Sequence, residues 1–373
     1  MRKDLNIFFY TNDNNPQSKR QIYPLVVTIQ NAGFHTFFNI DLTVAAKNVV
    51  TKDTTYVSLE EYSIVNSKSK TIIFTFTIMD VIKANKIIKN NVNYRIIFRP
   101  RGIIPEESFY RNGSYIRKKI LDIIEKKAMK IADFYCFITE YQKIHFISKY
   151  FFIPNIFTRA LVVHNYLSTD LLNNTWPVTD NKVERDKVRF VYSGGFSKWQ
   201  NIEEIFKLIK SIYDNYQNIE FNIYTFEGNN EKATKLITKY NLLNITKISN
   251  LQSHEINYHL SFNDVGIIIR DNSLINITSS PLKIIDYLNA KIGLILTDNI
   301  GDFSNILKNK PYVFLIKLDI DGNILYNVND LIKFLCNIKN TKIKEIIDSD
   351  TRELFSMEKQ VLKLKEYLQK IDI

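Results

Sequence analysis

The sequence has 373 residues, more than one hydrophobic core usually supports, so two domains are expected. Hydrophobic residues make up 45% of it, and its 10 glycines and 8 prolines are too few for a low-complexity chain. The net charge of +11 favours anionic partners, but the basic residues are scattered singly, so no nucleic-acid-binding arm and no nucleic acid partner are expected.

Cysteine and histidine usage indicates a reducing compartment and no metal site. Cys136 and Cys336 both stand in apolar surroundings, where free buried thiols are expected. The five histidines are dispersed, and no cysteine pair has zinc spacing. The N-terminus lacks the apolar core of a signal peptide, and no apolar run approaches the roughly 20 residues that span a bilayer. We therefore expect a cytoplasmic protein, with peripheral attachment to a membrane left open.

Short apolar runs alternate with longer amphipathic segments from the N-terminus onward. Strands are predicted at 5–10, 71–77, 94–99, 134–139 and 160–164, and helices at 16–32, 81–90, 114–132 and 141–150. A polar stretch at 171–187 contains Pro177 and is predicted to be a linker between domains.

The second half repeats this order with continuous apolar or β-branched runs, which suit strands buried on both faces of a parallel sheet. Strands are predicted at 188–192, 220–225, 245–250, 265–269, 293–297 and 312–316, and helices at 202–216, 232–240 and 282–289. The alternation predicts doubly wound α/β domains that bind ligands at the carboxyl ends of their strands. We expect two such Rossmann-like domains, at 1–170 and 188–345, and a terminal amphipathic helix at 346–373 that crosses back onto the first.

A glycine pair follows the first strand of the second half. Gly194 and Gly195 let the backbone turn tightly and approach a ligand closely, and the helix that follows offers free N–H groups to a phosphate. Lys198 can add a mobile charge against a diphosphate. The spacing matches neither a Walker loop nor a dinucleotide fingerprint, so a glycine turn with a surface lysine remains the alternative.

The segment 279–286 carries a second group of candidate ligand-binding residues. Ser279 or Ser280 is predicted to cap a helix with proline in its first turn, which would present N–H groups and hydroxyls to a diphosphate. Lys283 and Asp286 share one helical face, where they could contact the diphosphate and the ribose hydroxyls of a nucleotide. A capped helix with a surface Lys–Asp pair is the alternative.

The residues from Ser279 to Thr297 resemble the donor-site segment of glycosyltransferase family 4, which shows Ser-Pro-x-Lys, an acidic residue, Tyr-Leu and a small-residue turn into an apolar strand. Further resemblances lie at 194–200 to the family's phosphate loop, at 298–302 to the loop after that strand, at 132–140 to its Ala-Asp, strand, Ser-Glu element, and at 162–165 to its Val-Pro-Asn strand. The resemblance covers residues 94–317.

The resemblance implies the GT-B fold, two Rossmann-like domains with a cleft between them. It also implies a retaining transfer from a nucleotide-diphospho-sugar, UDP- or GDP-linked, with no bound metal and no cofactor. Carried over by position, the phosphates would be contacted by Lys198, Ser279, Ser280 and Lys283, and the ribose hydroxyls by Asp286.

Two features depart from the family pattern, the paired glutamates and the arginine of the phosphate loop. The first of its paired glutamates is replaced by Thr278, and the second by the shorter Asp286. The usual arginine of the phosphate loop is absent. Arg270, which follows the strand predicted at 265–269, could supply that charge. The adjacent Asp271 is a candidate catalytic residue.

Charged residues also follow the strand predicted at 94–99. Arg99 or Arg101 could bind an anionic acceptor or the departing phosphate, and Glu106 or Glu107 could orient an acceptor hydroxyl. The alternative is that the two glutamates simply favour the N-terminus of a helix. The candidate catalytic residues are Arg101, Glu106, Glu107 and Asp271.

The sequence therefore predicts a glycosyltransferase of surface polysaccharide synthesis, such as capsule or lipooligosaccharide, acting on a glycan or lipid-linked acceptor. One alternative is a nucleotide-sugar 2-epimerase of the same architecture, although no acids and histidines for its sugar site can be identified. The other is a non-catalytic glycan- or nucleic-acid-binding protein that uses the positive charge.

Overall fold

The computed structural model describes residues 5–39, 54–89, 91–166, 187–252 and 255–371. The chain forms two compact units, one made of Met1–Thr169 with Ser356–Ile373 and the other of Asp170–Phe355. The segment predicted as a linker, 171–187, lies outside the described residues except for Lys187.

The first unit is built on a parallel sheet. Its strands are β1 (Leu5–Tyr10), β2 (His35–Phe38), β3 (Thr54–Tyr56), β4 (Lys70–Thr75), β5 (Tyr94–Phe98), β6 (Phe134–Phe137) and β7 (Ala160–Val162). Helices α1 (Pro16–Asn31), α2 (Leu59–Val65), α3 (Ile78–Ile88), α4 (Ile104–Asn112), α5 (Tyr115–Ile131) and α6 (Glu140–Lys149) lie between them. The strand order is β3-β2-β1-β4-β5-β6-β7, so the chain winds outward in both directions from β1 and β4.

The second unit repeats this architecture. Its strands are β8 (Val188–Ser193), β9 (Ile219–Tyr224), β10 (Thr246–Ser249), β11 (Val265–Ile268), β12 (Gly293–Thr297), β13 (Val313–Leu318) and β14 (Ile324–Leu325). Its helices are α7 (Ile202–Asn215), α8 (Asn230–Lys239), α9 (Ile256–Leu260), α10 (Leu274–Ile277), α11 (Leu282–Asn289), α12 (Gly301–Ile306), α13 (Val328–Ile338) and α14 (Thr341–Leu354). The order is β10-β9-β8-β11-β12-β13-β14, with only β14 antiparallel to its neighbour.

The predicted fold class, with two doubly wound parallel sheets, is confirmed. Every predicted strand is present, with its ends shifted by at most two residues. The central strands are apolar along their whole length because both of their faces are covered. The short strands β2, β3 and β14 were not predicted.

The terminal segment predicted as one helix, 346–373, contains parts of two. Helix α14 ends at Leu354, and α15 (Met357–Lys370) begins after the extended residue Ser356. Helix α15 belongs to the first unit, where the hydroxyl of Tyr367 donates to the carbonyl oxygens of Arg159 (2.6 Å) and Tyr135 (3.2 Å). None of the helices in the described part of the chain is long and apolar enough to cross a bilayer.

The two cysteines differ in their surroundings. Cys136 is buried, as predicted, but the prediction that Cys336 is buried is wrong. Helix α13 turns a single apolar face inward, and Cys336 lies on the opposite, exposed face. The inward residues of α13 are Leu331, Phe334, Leu335 and Ile338.

Helix α11 packs closely on the centre of the second sheet because of Gly266 in β11. A Cβ at Gly266 would lie 2.3 Å from the ring of Tyr287, which is fully buried. The hydroxyl of Tyr287 accepts a hydrogen bond from the backbone N–H of Ser193 at the end of β8 (2.9 Å). Tyr287 therefore joins α11 to the two central strands, β8 and β11.

We expect Gly266→Ala to lower the free energy of unfolding by about 1–3 kcal/mol, because an added methyl group overpacks a filled core. Gly228→Ala is the matched control, since nothing lies within 4 Å of its Cβ position. The midpoint of urea unfolding, followed by circular dichroism, measures both variants. Equal midpoints for the two would contradict the packing described for Tyr287.

Candidate functional site

Two connections of the second unit lie side by side at the carboxyl edge of its sheet. The first follows β8 and runs through Gly194 and Gly195 to a 3₁₀ turn at Lys198–Gln200. The second follows β11 and runs from Arg270 to the start of α11. Because β8 and β11 are neighbours from which the chain winds in opposite directions, this is the topological switch point, where doubly wound folds bind ligands.

Lys283 in α11 joins the two connections. Its ammonium group donates to the hydroxyl of Tyr192 (3.0 Å) and to the side-chain oxygen of Gln200 (2.9 Å). Gly194 makes this position possible, since a Cβ there would lie 2.7 Å from Cε and 2.8 Å from Nζ of Lys283. The φ angle of Gly194, +130°, is also one that other residues rarely adopt. The glycine turn predicted after β8 thus makes room for Lys283.

Arg270 organises the second connection from the end of β11. Its Nη1 donates to the side-chain oxygen of Asn276 (3.2 Å) and to the hydroxyl of Ser279 (3.2 Å). Its backbone N–H donates to the hydroxyl of Thr297 at the end of β12 (3.1 Å). Its Nε is buried without a hydrogen-bond partner among the described residues. A buried donor of this kind is uncommon and suits an anionic ligand.

Arg270 and Lys283 form a pair of desolvated positive charges. Burial and the charge of Arg270 lower the pKa of Lys283 well below its usual range, and Asp286 opposes this shift. Burial likewise lowers the pKa of Arg270 to about 10. The side chains to which these two residues donate hydrogen bonds are all neutral. The site therefore favours a negatively charged ligand.

Asn276 in α10 ties the two connections together. Its amide nitrogen donates to the carboxylate of Asp271 (2.6 Å) and to the carbonyl oxygen of Trp199 in the first connection (3.4 Å). Its oxygen accepts from Arg270, and the side chain is fully buried. Asn276 is not predicted from the sequence, because asparagine is abundant in the chain and this residue stands in no motif.

The prediction that Ser279 or Ser280 caps α11 is wrong. Pro281 occupies the N-cap position, and no side chain caps the helix. Ser279 instead accepts from Arg270 and donates to the carbonyl oxygen of Asn276 (2.8 Å). Ser280 is buried immediately before the helix. The two serines therefore lie immediately before α11, and neither side chain caps the N–H groups at its positive N-terminal end.

The other two residues predicted to bind the nucleotide-sugar donor lie in the first connection and in α11. Lys198 is exposed in the 3₁₀ turn, and Asp286 is buried about one helical turn beyond Lys283. Thr278, at the position of the family's first glutamate, donates from its hydroxyl to the carbonyl oxygen of Leu274 (2.9 Å). Thr278 therefore caps the C-terminal end of α10 and does not replace the carboxylate of that glutamate.

Asp271, a predicted catalytic residue, holds the start of the second connection in place. Its carboxylate accepts from the backbone N–H of Ser273 (3.1 Å) as well as from Asn276.

The part of the chain that the structure describes contains no group of three or more His, Cys, Asp or Glu side chains that could hold a metal ion.

The predicted acceptor-side residues lie in the first unit. Arg101 forms an ion pair with Asp13 in the loop after β1 (2.7 Å). Glu106 lies in a network with Lys149 (2.9 Å), and Glu107 accepts from the backbone N–H of Ile103 at the start of α4 (3.1 Å). Burial raises the pKa of Glu107. Both glutamates thus lie in the first turn of α4, where the alternative interpretation places them as residues that favour a helix N-terminus. Their role toward an acceptor stays a prediction.

Solved structures with a similar fold include several glycosyltransferases. A glycosyltransferase from Rickettsia africae ESF-5 matches over 100% of both chains, with 14% identity and a TM-score of 0.69. HepE from Anabaena, in complex with UDP and glucose, matches over 98% of this chain and 100% of its own, with 10% identity and a TM-score of 0.70. The lipopolysaccharide outer core galactosyltransferase WaaB matches over 98% and 99%, with 11% identity and a TM-score of 0.62.

At identities of 10 to 14%, these likenesses show the fold. No protein-family model and no curated protein sequence matches the chain. The protein therefore has the GT-B fold, as the family resemblance implies. Because a fold does not determine a function, the groups at the switch point of the second unit are the guide to what the protein does.

We expect Asn276→Leu to lower the free energy of unfolding by about 2–4 kcal/mol, because it removes the buried side-chain partner that Arg270 and Asp271 share. Asn329→Leu, an exposed position on α13, is the control and should change the free energy of unfolding by less than about 0.5 kcal/mol. Urea unfolding of both variants measures the difference. An Asn276→Leu protein as stable as the control would show that this network does not hold the site together.

Proposed function

We propose that the protein is a glycosyltransferase whose nucleotide-diphospho-sugar donor binds at the switch point of the second unit. The observation that carries this proposal is the buried pair Arg270 and Lys283, which have neutral hydrogen-bond partners. A diphosphate would supply the negative charge that their hydrogen-bond partners lack. The GT-B fold, shared with a protein solved with UDP and glucose, supports the same conclusion.

Each group at the switch point suits one part of such a donor. Gly194 and Gly195 let the backbone approach the phosphates, which Lys283 and Arg270 bind. Asp286 would accept hydrogen bonds from the ribose hydroxyls, the role that the family resemblance implies. Lys198, exposed in the 3₁₀ turn, can close over the phosphates from the solvent side.

The same cations account for catalysis of the transfer. Negative charge builds on the diphosphate as its bond to the sugar breaks, and cations already held in place stabilise that charge in the transition state. This stabilisation requires no metal ion. In the proposed reaction the acceptor hydroxyl attacks the anomeric carbon from the side on which the diphosphate departs, and the departing phosphate takes the proton. Retention of configuration rests on the family resemblance and would be visible in the NMR spectrum of the product.

The proposed donor is a UDP- or GDP-sugar, and the proposed acceptor is a glycan or lipid-linked glycan of a surface polysaccharide. HepE in complex with UDP and glucose supports a uridine donor. WaaB, a galactosyltransferase of the lipopolysaccharide outer core, supports a surface-polysaccharide acceptor. Incubation with the donor alone separates this function from 2-epimerisation, which would change the sugar without any acceptor.

A thermal-shift screen against UDP, GDP, CDP and their sugars should find a nucleotide that raises the melting temperature, because that ligand binds only the folded protein. We expect Lys283→Met to weaken binding of this nucleotide roughly tenfold to a hundredfold, since a hydrogen bond to a charged group contributes about 1.5–3 kcal/mol. Lys308→Met, an exposed lysine of the same unit, should bind like the unaltered protein. Unchanged nucleotide affinity and sugar turnover in both Lys283→Met and Asp286→Ala would refute the site.

Binding of the donor should also change the protonation of Lys283. Burial lowers its pKa in the free protein, so it loses its proton at a lower pH than an ordinary lysine, whereas a bound diphosphate favours the ammonium form. We expect proton uptake on binding that is absent at low pH and grows as the pH rises through the pKa of the free lysine. Isothermal titration calorimetry with the intact donor, in two buffers of different ionisation enthalpy, measures this uptake. Uptake that persists in Lys283→Met would assign it to another group.

A further inference from the structure

A cavity of about 610 Å³ opens at the amino edge of the first sheet. The cavity lies where β6 begins after α5 and where β7 begins after the loop that follows α6. Its volume is within the range of sites that hold small molecules, roughly 300–1,000 Å³. The described residues that line it include two cations and no acid: Lys130, Phe152, Ile153, Pro154, Asn155 and Arg159.

Neutral partners hold the guanidinium group of Arg159 in place beside this cavity. Its Nη1 donates to the carbonyl oxygen of Asp133 (3.1 Å), and its Nη2 donates to the carbonyl oxygen of Pro154 (2.7 Å). The group lies 5.6 Å from the centroid of the Tyr135 ring. Its Nε is buried without a hydrogen-bond partner among the described residues. Such a donor costs free energy, and a ligand with acceptor oxygens would remove that cost.

The acid beside Arg159 does not neutralise this part of the molecule. The carboxylate of Asp133 accepts from the backbone N–H of Ile96 at the start of β5 (2.8 Å). Burial raises the pKa of Asp133, and the charges of Arg95 and Arg159 oppose this shift. Two arginines therefore share the charge of one carboxylate, and positive charge remains for a ligand.

Two lysines of α5 add further positive charge next to an aromatic ring. The ammonium groups of Lys126 and Lys130 lie 5.0 and 5.9 Å from the centroid of the Phe152 ring. The acid nearest to Lys126 along the helix, Glu125, is buried and binds Lys149 (2.7 Å). The cavity therefore combines an apolar ring with the charges of two lysines and one arginine.

We propose that this cavity binds a small phosphate monoester. Nε and a terminal nitrogen of Arg159 would donate side by side to two phosphate oxygens, and Lys126 and Lys130 would balance its charge. Phe152 would cover the organic part of the ester, and the amide of Asn155 suits a hydroxyl group. Charge complementarity favours this ligand, because a phosphate monoester carries about two negative charges at neutral pH. The site lies wholly in the first unit and goes beyond the proposed function.

Isothermal titration calorimetry of the full chain with glucose 6-phosphate and with phenyl phosphate tests the proposal. We expect at least one ester to bind at least about tenfold more tightly than inorganic phosphate, because its organic part contacts apolar walls. The variant K126Q/K130Q should bind this ester about tenfold more weakly. The control K119Q/K127Q makes the same change in net charge at exposed positions of the same helix and should stay within about twofold of the unaltered protein.

Arg159→Lys keeps the charge but removes the paired donors, so it should weaken binding of the ester roughly tenfold to a hundredfold. Circular dichroism checks the fold of each variant, and the lysine variants test the site even where Arg159→Lys disturbs folding. Lys283→Met, which alters the donor site, should bind the ester with unchanged affinity.

Loss of ester binding in Lys283→Met would assign the ester to the donor site and overturn the proposal. Equal affinities of K126Q/K130Q and its control would also overturn it. So would the absence of binding by either ester, or an affinity for inorganic phosphate equal to that for the esters.

Discussion

The burial of two like charges at one edge of a sheet is the constraint on which the second unit depends. Arg270 and Lys283 repel each other in a site of low dielectric, and burial lowers the pKa of both. The chain holds them with neutral partners, such as the hydroxyl of Tyr192 and the amide of Asn276, instead of carboxylates. A carboxylate would stabilise the empty site but would compete with an anionic ligand. In the proposed function, this arrangement keeps positive charge in place for a diphosphate.

Close backbone approach makes this arrangement possible. Gly266 lets the ring of Tyr287 lie directly on β11, which brings α11 down onto the sheet. Gly194 then leaves the space that the ammonium group of Lys283 occupies. Gly266 sets the position of the helix, and Gly194 admits the lysine of that helix. The site is thus a consequence of how tightly α11 packs at the switch point.

The sequence predicts those parts of the molecule that depend on local pattern. Strands buried on both faces must be apolar throughout, so β8, β11 and β12 stand out as continuous runs, whereas the short strands β2 and β3 do not. Lys283 is found because its neighbours form a motif. Asn276 is missed because it stands in no motif, although Arg270 and Asp271 lie within six residues of it. Tyr192 is missed because its partner Lys283 comes from α11, far along the chain, and only folding brings the two together. The cap predicted at Ser279 fails because Arg270 and Asn276 take up its hydroxyl.

The position of a bound nucleotide tests the account most directly. A crystal structure of the full chain with the nucleoside diphosphate selected by thermal shift would provide it. We expect the diphosphate between Gly194 and the start of α11, with Arg270 and Lys283 within hydrogen-bond distance of its oxygens. A diphosphate bound elsewhere, with Lys283 still donating to Tyr192 and Gln200, would contradict the account.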